Sequence, residues 1–119
     1  MKITNVHVPD MTKHYLQFAE IEILASRLAE SYVKISEDCI SIYMKDDPAI
    51  SSYMRLIKEK CEIITRGGGS CHAYEYELDC SDNTGHIFLI GVDDKNYYCT
   101  IQSVTNMENG DLHLDFHII

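Results

Sequence analysis

The chain has 119 residues, of which 45% are hydrophobic and 24% charged, with a formal net charge of −9 and a pI near 4.9. That length gives one domain, long enough to bury a core without disulfide or metal staples. The acidity excludes nucleic-acid binding through phosphate contacts and docking on anionic membranes, since both need Lys and Arg clusters.

Ile3 to Val8 alternates as a short strand, which Pro9 stops or confines to a sheet edge. Asp10 and Thr12 are candidate caps for the helix expected next. Its apolar positions, Tyr15, Phe18, Ile21, Leu24, Ala25, Leu28, Ala29 and Tyr32, recur every three or four residues, which predicts one amphipathic helix to about Val33. Ile23 is the bulky residue outside that stripe. Ser36-Glu37-Asp38 is a polar break, and Cys39 to Met44 reads as a strand, expected at the sheet edge. Asp47 and Pro48 open a second helix, Asp47 as cap and Pro48 at the first helical position, where no backbone donor is needed. Ile50, Tyr53, Met54, Ile57, Cys61 and Ile64 form its apolar face, and Arg66 lies near its end. Gly67-Gly68-Gly69-Ser70 follows that helix, so it is a helix stop and hinge; a phosphate cradle would precede a helix.

The remainder predicts four strands. In Cys71–Cys80, His72, Tyr74, Tyr76 and Leu78 alternate with Ala73, Glu75, Glu77 and Asp79. His86–Val92 is apolar on both sides, as a central strand would be. Tyr97, Cys99 and Ile101 oppose Tyr98, Thr100, Gln102 and Val104. Leu112, Leu114, Phe116 and Ile118 oppose His113, Asp115 and His117. The connections Ser81–Gly85, Asp93–Asn96 and Glu108–Asp111 are short and turn-rich, and the last contains Asn109-Gly110, a strong hairpin signal. Short loops make consecutive strands antiparallel neighbours. The expected fold is therefore a single α+β domain over residues 1–119. It has an antiparallel sheet of four to six strands, including a C-terminal four-strand meander, and two helices packed on one face.

Charge divides unevenly along this chain. Residues 1–66 hold nine Lys and Arg against ten Asp and Glu; residues 67–119 hold one Lys against nine. Like charges crowded on a sheet destabilise it, so the meander's acidity suggests a use beyond folding. The plain alternative is a solvated face that keeps the protein in solution. The functional expectation is a docking surface for a basic protein, on which these carboxylates share one side: Glu75, Glu77, Asp79, Asp93, Asp94 and Asp115, with Tyr98 as an aromatic anchor. Its concrete form is a bacterial or phage inhibitor, such as an immunity protein that neutralises a nuclease toxin.

Motifs for chemistry are weak. Adjacent Cys71 and His72 would point to opposite faces of a strand, and acidic neighbours would disfavour a thiolate. His113 and His117 would stand about 13 Å apart along a strand, too far to share one zinc ion. No catalytic residue, metal or cofactor is expected. The five cysteines form no Cys-x-x-Cys pair, and the start of the chain has no apolar secretory segment, which together suggest free thiols in a cytoplasmic protein. A monomer or homodimer is expected. A second reading is a small-ligand binder or hydrolase with a pocket between a curved sheet and the helices, its opening lined by His113, Asp115 and His117.

Overall fold

The computed structural model describes residues 1–66 and 87–119. The elements are β1 (Ile3–His7), a 3-10 turn (Asp10–His14), α1 (Phe18–Ala29), β2 (Tyr32–Ser36), β3 (Cys39–Lys45), α2 (Pro48–Arg66), β4 (Phe88–Val92), β5 (Lys95–Asn106) and β6 (Asp111–Ile118). The strands form one antiparallel sheet in the order β1-β4-β5-β6-β3-β2. The helices pack on one face of it, so the fold is α+β as the sequence patterning predicts. The expected strand Cys71–Cys80 and the glycine stop before it lie outside the described residues. The other three strands of the meander are sheet neighbours.

Three expectations change, the third of them at the bulge in β5 described below. The single helix expected up to about Val33 is instead a 3-10 turn, a shorter helix and a strand. Thr12 does not cap α1: its hydroxyl is buried and hydrogen-bonded to the Tyr53 hydroxyl. Gln17 stands at the cap position just before the helix, and its backbone N–H donates to Glu20 Oε1 at 3.0 Å, one half of a capping box. Phe18, counted in the apolar stripe, is 75% exposed, and Ile23, outside it, is 54% exposed. The chain then turns at Ser31, whose hydroxyl donates to the Arg27 carbonyl at 2.8 Å, and runs back as β2. The second change concerns β3, expected at an edge. It lies between β2 and β6, and β1 and β2 form the edges of the described sheet. Strand order is a matter of long-range pairing, and Cys39–Lys45 finds its second partner some seventy residues later.

The start of α2 follows the sequence closely. Asp47 Oδ1 accepts the Ala49 N–H at 3.0 Å, and Pro48 is the first helical residue. Ile50, Tyr53, Met54 and Ile57 are buried against Leu24 and Leu28 of α1 and against the inward side chains of the sheet: Ile40, Ile42 and Met44 of β3, Phe88, Ile90 and Val92 of β4, and Leu112, Leu114 and Phe116 of β6. The Phe88 and Phe116 rings meet edge to face at 5.0 Å. Each such side chain contributes about 1.5–3 kcal/mol on burial. Arg55 of α2 donates to the Asn106 side chain at the end of β5, a polar tie at the margin of this packing. At Gly91, β1 crosses so close to β4 that a Cβ would collide with the Asn5 side chain.

One irregularity positions the outer face. The β5–β6 register shifts between Ile101 and Ser103, so Ser103 stands opposite Asp115 and Val104 opposite Leu114. This bulge reverses the alternation expected for the second half of β5. Val104 packs against the core, and Ser103 joins the face turned away from the helices.

Candidate functional site

The face of the sheet opposite the helices carries polar residues and several tyrosines of the described strands. Cys39, Ser41 and Tyr43 of β3 stand opposite His117, Asp115 and His113 of β6, and Tyr32 of β2 stands opposite Tyr43. Asp115 is the centre of this array. Its Oδ1 accepts hydrogen bonds from the Ser41 hydroxyl at 2.6 Å and from His113 Nε2 at 2.9 Å; its Oδ2 accepts from the Ser103 hydroxyl at 3.0 Å. The Cys39 thiol lies 3.7 Å from Oδ1. Burial by itself would raise the Asp115 pKa, but the hydroxyls of Ser41 and Ser103 and the nearby His113 outweigh it and hold the carboxyl below its ordinary value. His113 is fixed in turn by stacking on Tyr43, with ring centroids 4.4 Å apart and planes 14° apart.

This arrangement holds a carboxylate; it does not activate a nucleophile. Both Ser41 and His113 donate to the same carboxylate, so this imidazole is not placed to take a proton from the Ser41 hydroxyl. Burial pushes the Cys39 thiol pKa up, and the Asp115 and Asp38 carboxylates push it further against the lowering hydrogen bond from Ser41. Burial pushes Cys99 up to about 12. Neither thiol is poised to ionise at neutral pH. His113, Asp115 and His117 face away from the helices, so they line no pocket between sheet and helices. Beside them, Tyr32, Lys34, Tyr43, Lys45, Met107 and Asp111 border a shallow depression of about 540 Å³.

The acidic turns lie at the two ends of the sheet. Asp93 and Asp94 form the two-residue β4–β5 turn, with φ of 50° and 67°. Asp93 is clasped to the start of β1: it accepts the Lys2 backbone N–H at 2.9 Å on Oδ1, and its own N–H donates to the Lys2 carbonyl at 3.0 Å. Glu37 and Asp38 form the β2–β3 turn, with Glu37 at φ 48°. This turn lies at the same end of the sheet, since the Ile118 N–H donates to the Asp38 carbonyl at 2.6 Å and the Ile119 N–H to the Tyr98 carbonyl at 2.8 Å. The β5–β6 turn, with Glu108 and Asp111, lies at the far end of the twelve-residue β5, beside Asp46, whose N–H reaches the Gly110 carbonyl at 3.3 Å. The meander's described carboxylates therefore occupy both ends and the middle of the sheet. Asp115 stands well apart, along the sheet, from the turn carboxylates grouped with it in the sequence.

Tyr98 is 61% exposed and stands opposite Leu89 on the outer face, with Ile119 also exposed beside it. Asp94 is four residues away, about 13 Å along the strand. The structure thus brings Tyr98, Asp93 and Asp94 to one end of the sheet and leaves Asp115 farther along the face. Glu75, Glu77 and Asp79 lie outside the described residues. Glu37 and Asp38, read from sequence as a mere break, join the Tyr98 end. The alternation of Val33 and Ile35 before the break and of Ile40 and Ile42 after it was the available sign of a hairpin. Ser41 and Ser103 carried no such sign, because their meeting depends on strand order and on a bulge. Among the described residues no group of three His, Cys, Asp or Glu side chains could hold a metal, and no helix is long and apolar enough to cross a membrane. No protein-family model matches the chain, and no curated protein or solved structure shows significant similarity to it.

Proposed function

We propose that this chain is a non-enzymatic binding protein that docks on a cationic protein surface through the Tyr98 end of its outer sheet face. In its most concrete form it is an immunity-type inhibitor of a nuclease-like toxin. The observation that carries this reading is the pairing of an exposed apolar centre with an acidic rim. Exposed Tyr98 and Ile119 form the centre together with half-buried Leu89, and the Glu37-Asp38 and Asp93-Asp94 turns stand around it. Interfaces concentrate their energy in such aromatic anchors, ringed by polar groups.

A second observation supports it. Glu37, Asp93 and Asp94 are the non-glycine residues at positive φ among the described residues. At Glu37, glycine or asparagine would sit with less strain, so a carboxylate there trades stability for charge; aspartate is common in such turns, and Asp93 is also tied to the Lys2 N–H. A nuclease site is cationic because it binds phosphates, and carboxylates can occupy it in their place. Asp115, held by Ser41, Ser103 and His113, serves as a rigid part of the face. Free thiols suit a cytoplasmic setting.

The test is kinetic. Surface-bound cationic nuclease domains should capture the protein with an association rate that falls about tenfold or more from about 50 to about 300 mM salt. Glu37→Lys with Asp94→Lys should slow association, and Tyr98→Ala should speed dissociation by about thirtyfold. Failure to bind any such domain at low salt, or charge reversal without effect on association, would overturn the reading.

A further inference from the structure

The helical layer holds a site of a different kind. Where α1 passes the start of α2, a cavity of about 190 Å³ opens between them. Its floor is made by Leu24, Ile50 and Tyr53, all buried, and its mouth by the exposed Ile23, Ala49 and Glu20 and the partly exposed Asp47. We propose that this cavity binds a small amphiphilic amine: one aromatic ring or short alkyl chain bearing a single ammonium group.

Size and polarity set the tail. An apolar protein cavity of about 150 Å³ takes up benzene. The floor asks for no polar atom, because the Tyr53 hydroxyl is already hydrogen-bonded to Thr12. Charge sets the head group. The described lining holds two carboxylates and no Lys or Arg. Glu20 gives Oε1 to the Gln17 N–H, and Asp47 gives Oδ1 to the Ala49 N–H, each at 3.0 Å. The second oxygen of Glu20 is left to receive an ammonium, and that of Asp47 is shared with Arg27. Arg27 competes only loosely for Asp47, at 3.7 Å. An anionic head group would meet two negative charges. The site stands on the helical side of the sheet, so it succeeds or fails independently of docking at the Tyr98 end.

The experiment is a titration of the whole protein with benzylamine, benzyl alcohol and benzoate, followed by amide NMR. Benzylamine should give saturable shifts centred on Ile23, Leu24, Ala49 and Ile50, with a Kd on the order of millimolar. Benzyl alcohol should bind about tenfold more weakly, and benzoate more weakly still. Helix caps accept Gln for Glu and Asn for Asp, so E20Q/D47N keeps the fold while removing both charges. It should lower benzylamine to the affinity of benzyl alcohol and leave the alcohol unchanged. Ala49→Leu, which fills the mouth, should abolish binding of both. The proposal is overturned if benzylamine gives no saturable shifts at these residues, if benzoate binds as tightly, or if E20Q/D47N leaves the amine's affinity intact.

Discussion

Asp115 is a charged side chain placed among strand residues, and its neighbours decide what it does. Ser41, Ser103 and His113 supply donors to both oxygens, which keeps the carboxyl ionised despite its partial burial. A carboxyl whose native pKa lies below its unfolded value, near 3.9, stabilises the fold at higher pH. That contribution is full above the unfolded pKa and is lost as pH falls through the native one. Asp115→Ala should therefore cost about 1–3 kcal/mol at pH 7, because it also strands three donors. The deficit against the unsubstituted protein should shrink under strongly acid conditions. Urea unfolding at neutral and acid pH measures this, and a deficit independent of pH would mean that packing, not charge, is what Asp115 supplies. The alternation of β6 made it legible that His113, Asp115 and His117 share a face. The serines that hold Asp115 come from two other strands, and nothing local announces them.

At the scale of elements, the two-residue turns and the short strand β2 are most informative. Glu37 occupies left-handed backbone, where a side chain with a Cβ is strained. Glu37→Gly should raise stability by about 0.5–1 kcal/mol, read as a higher urea midpoint with unchanged slope, while slowing association with a cationic partner. A stabilising effect without any loss of association would separate the strain from docking. The strand that this turn feeds escaped the sequence for a definite reason. Tyr32 continues the three-to-four spacing of Leu24, Leu28 and Ala29, so the first residues of β2 fall in phase with the helix before it. Only the reversal at Ser31, with its hydroxyl on the Arg27 carbonyl, ends that helix. By contrast, α2 was legible throughout its start, because Asp47, Pro48 and the spacing of Ile50, Tyr53, Met54 and Ile57 all agree.

For the whole molecule, the net charge is −9, and the described residues place acidic turns at both ends of a sheet whose outer face is mixed polar and aromatic. Long-range attraction to a basic partner belongs to that total, and should fade as the Debye length shortens from about 10 Å at 0.1 M salt to about 3 Å at 1 M. Dissociation, governed by Tyr98 and its apolar neighbours, should change far less with salt. Stopped-flow measurement of both rates across that range distinguishes steering from contact. The α+β class was readable from periodicity alone, whereas the order of strands was not, since sequence neighbours reveal hairpins but not the seams between distant segments. The β1–β4 seam is such a case: Ile3 meets Val92. On a ribosome adding about 5–20 residues per second, the opening strand waits on the order of ten seconds for its mate to be made. During that interval its hydrogen-bonding groups are open to any passing strand, and chaperones or crowding should govern the yield of folded protein more through this delay than through its final stability.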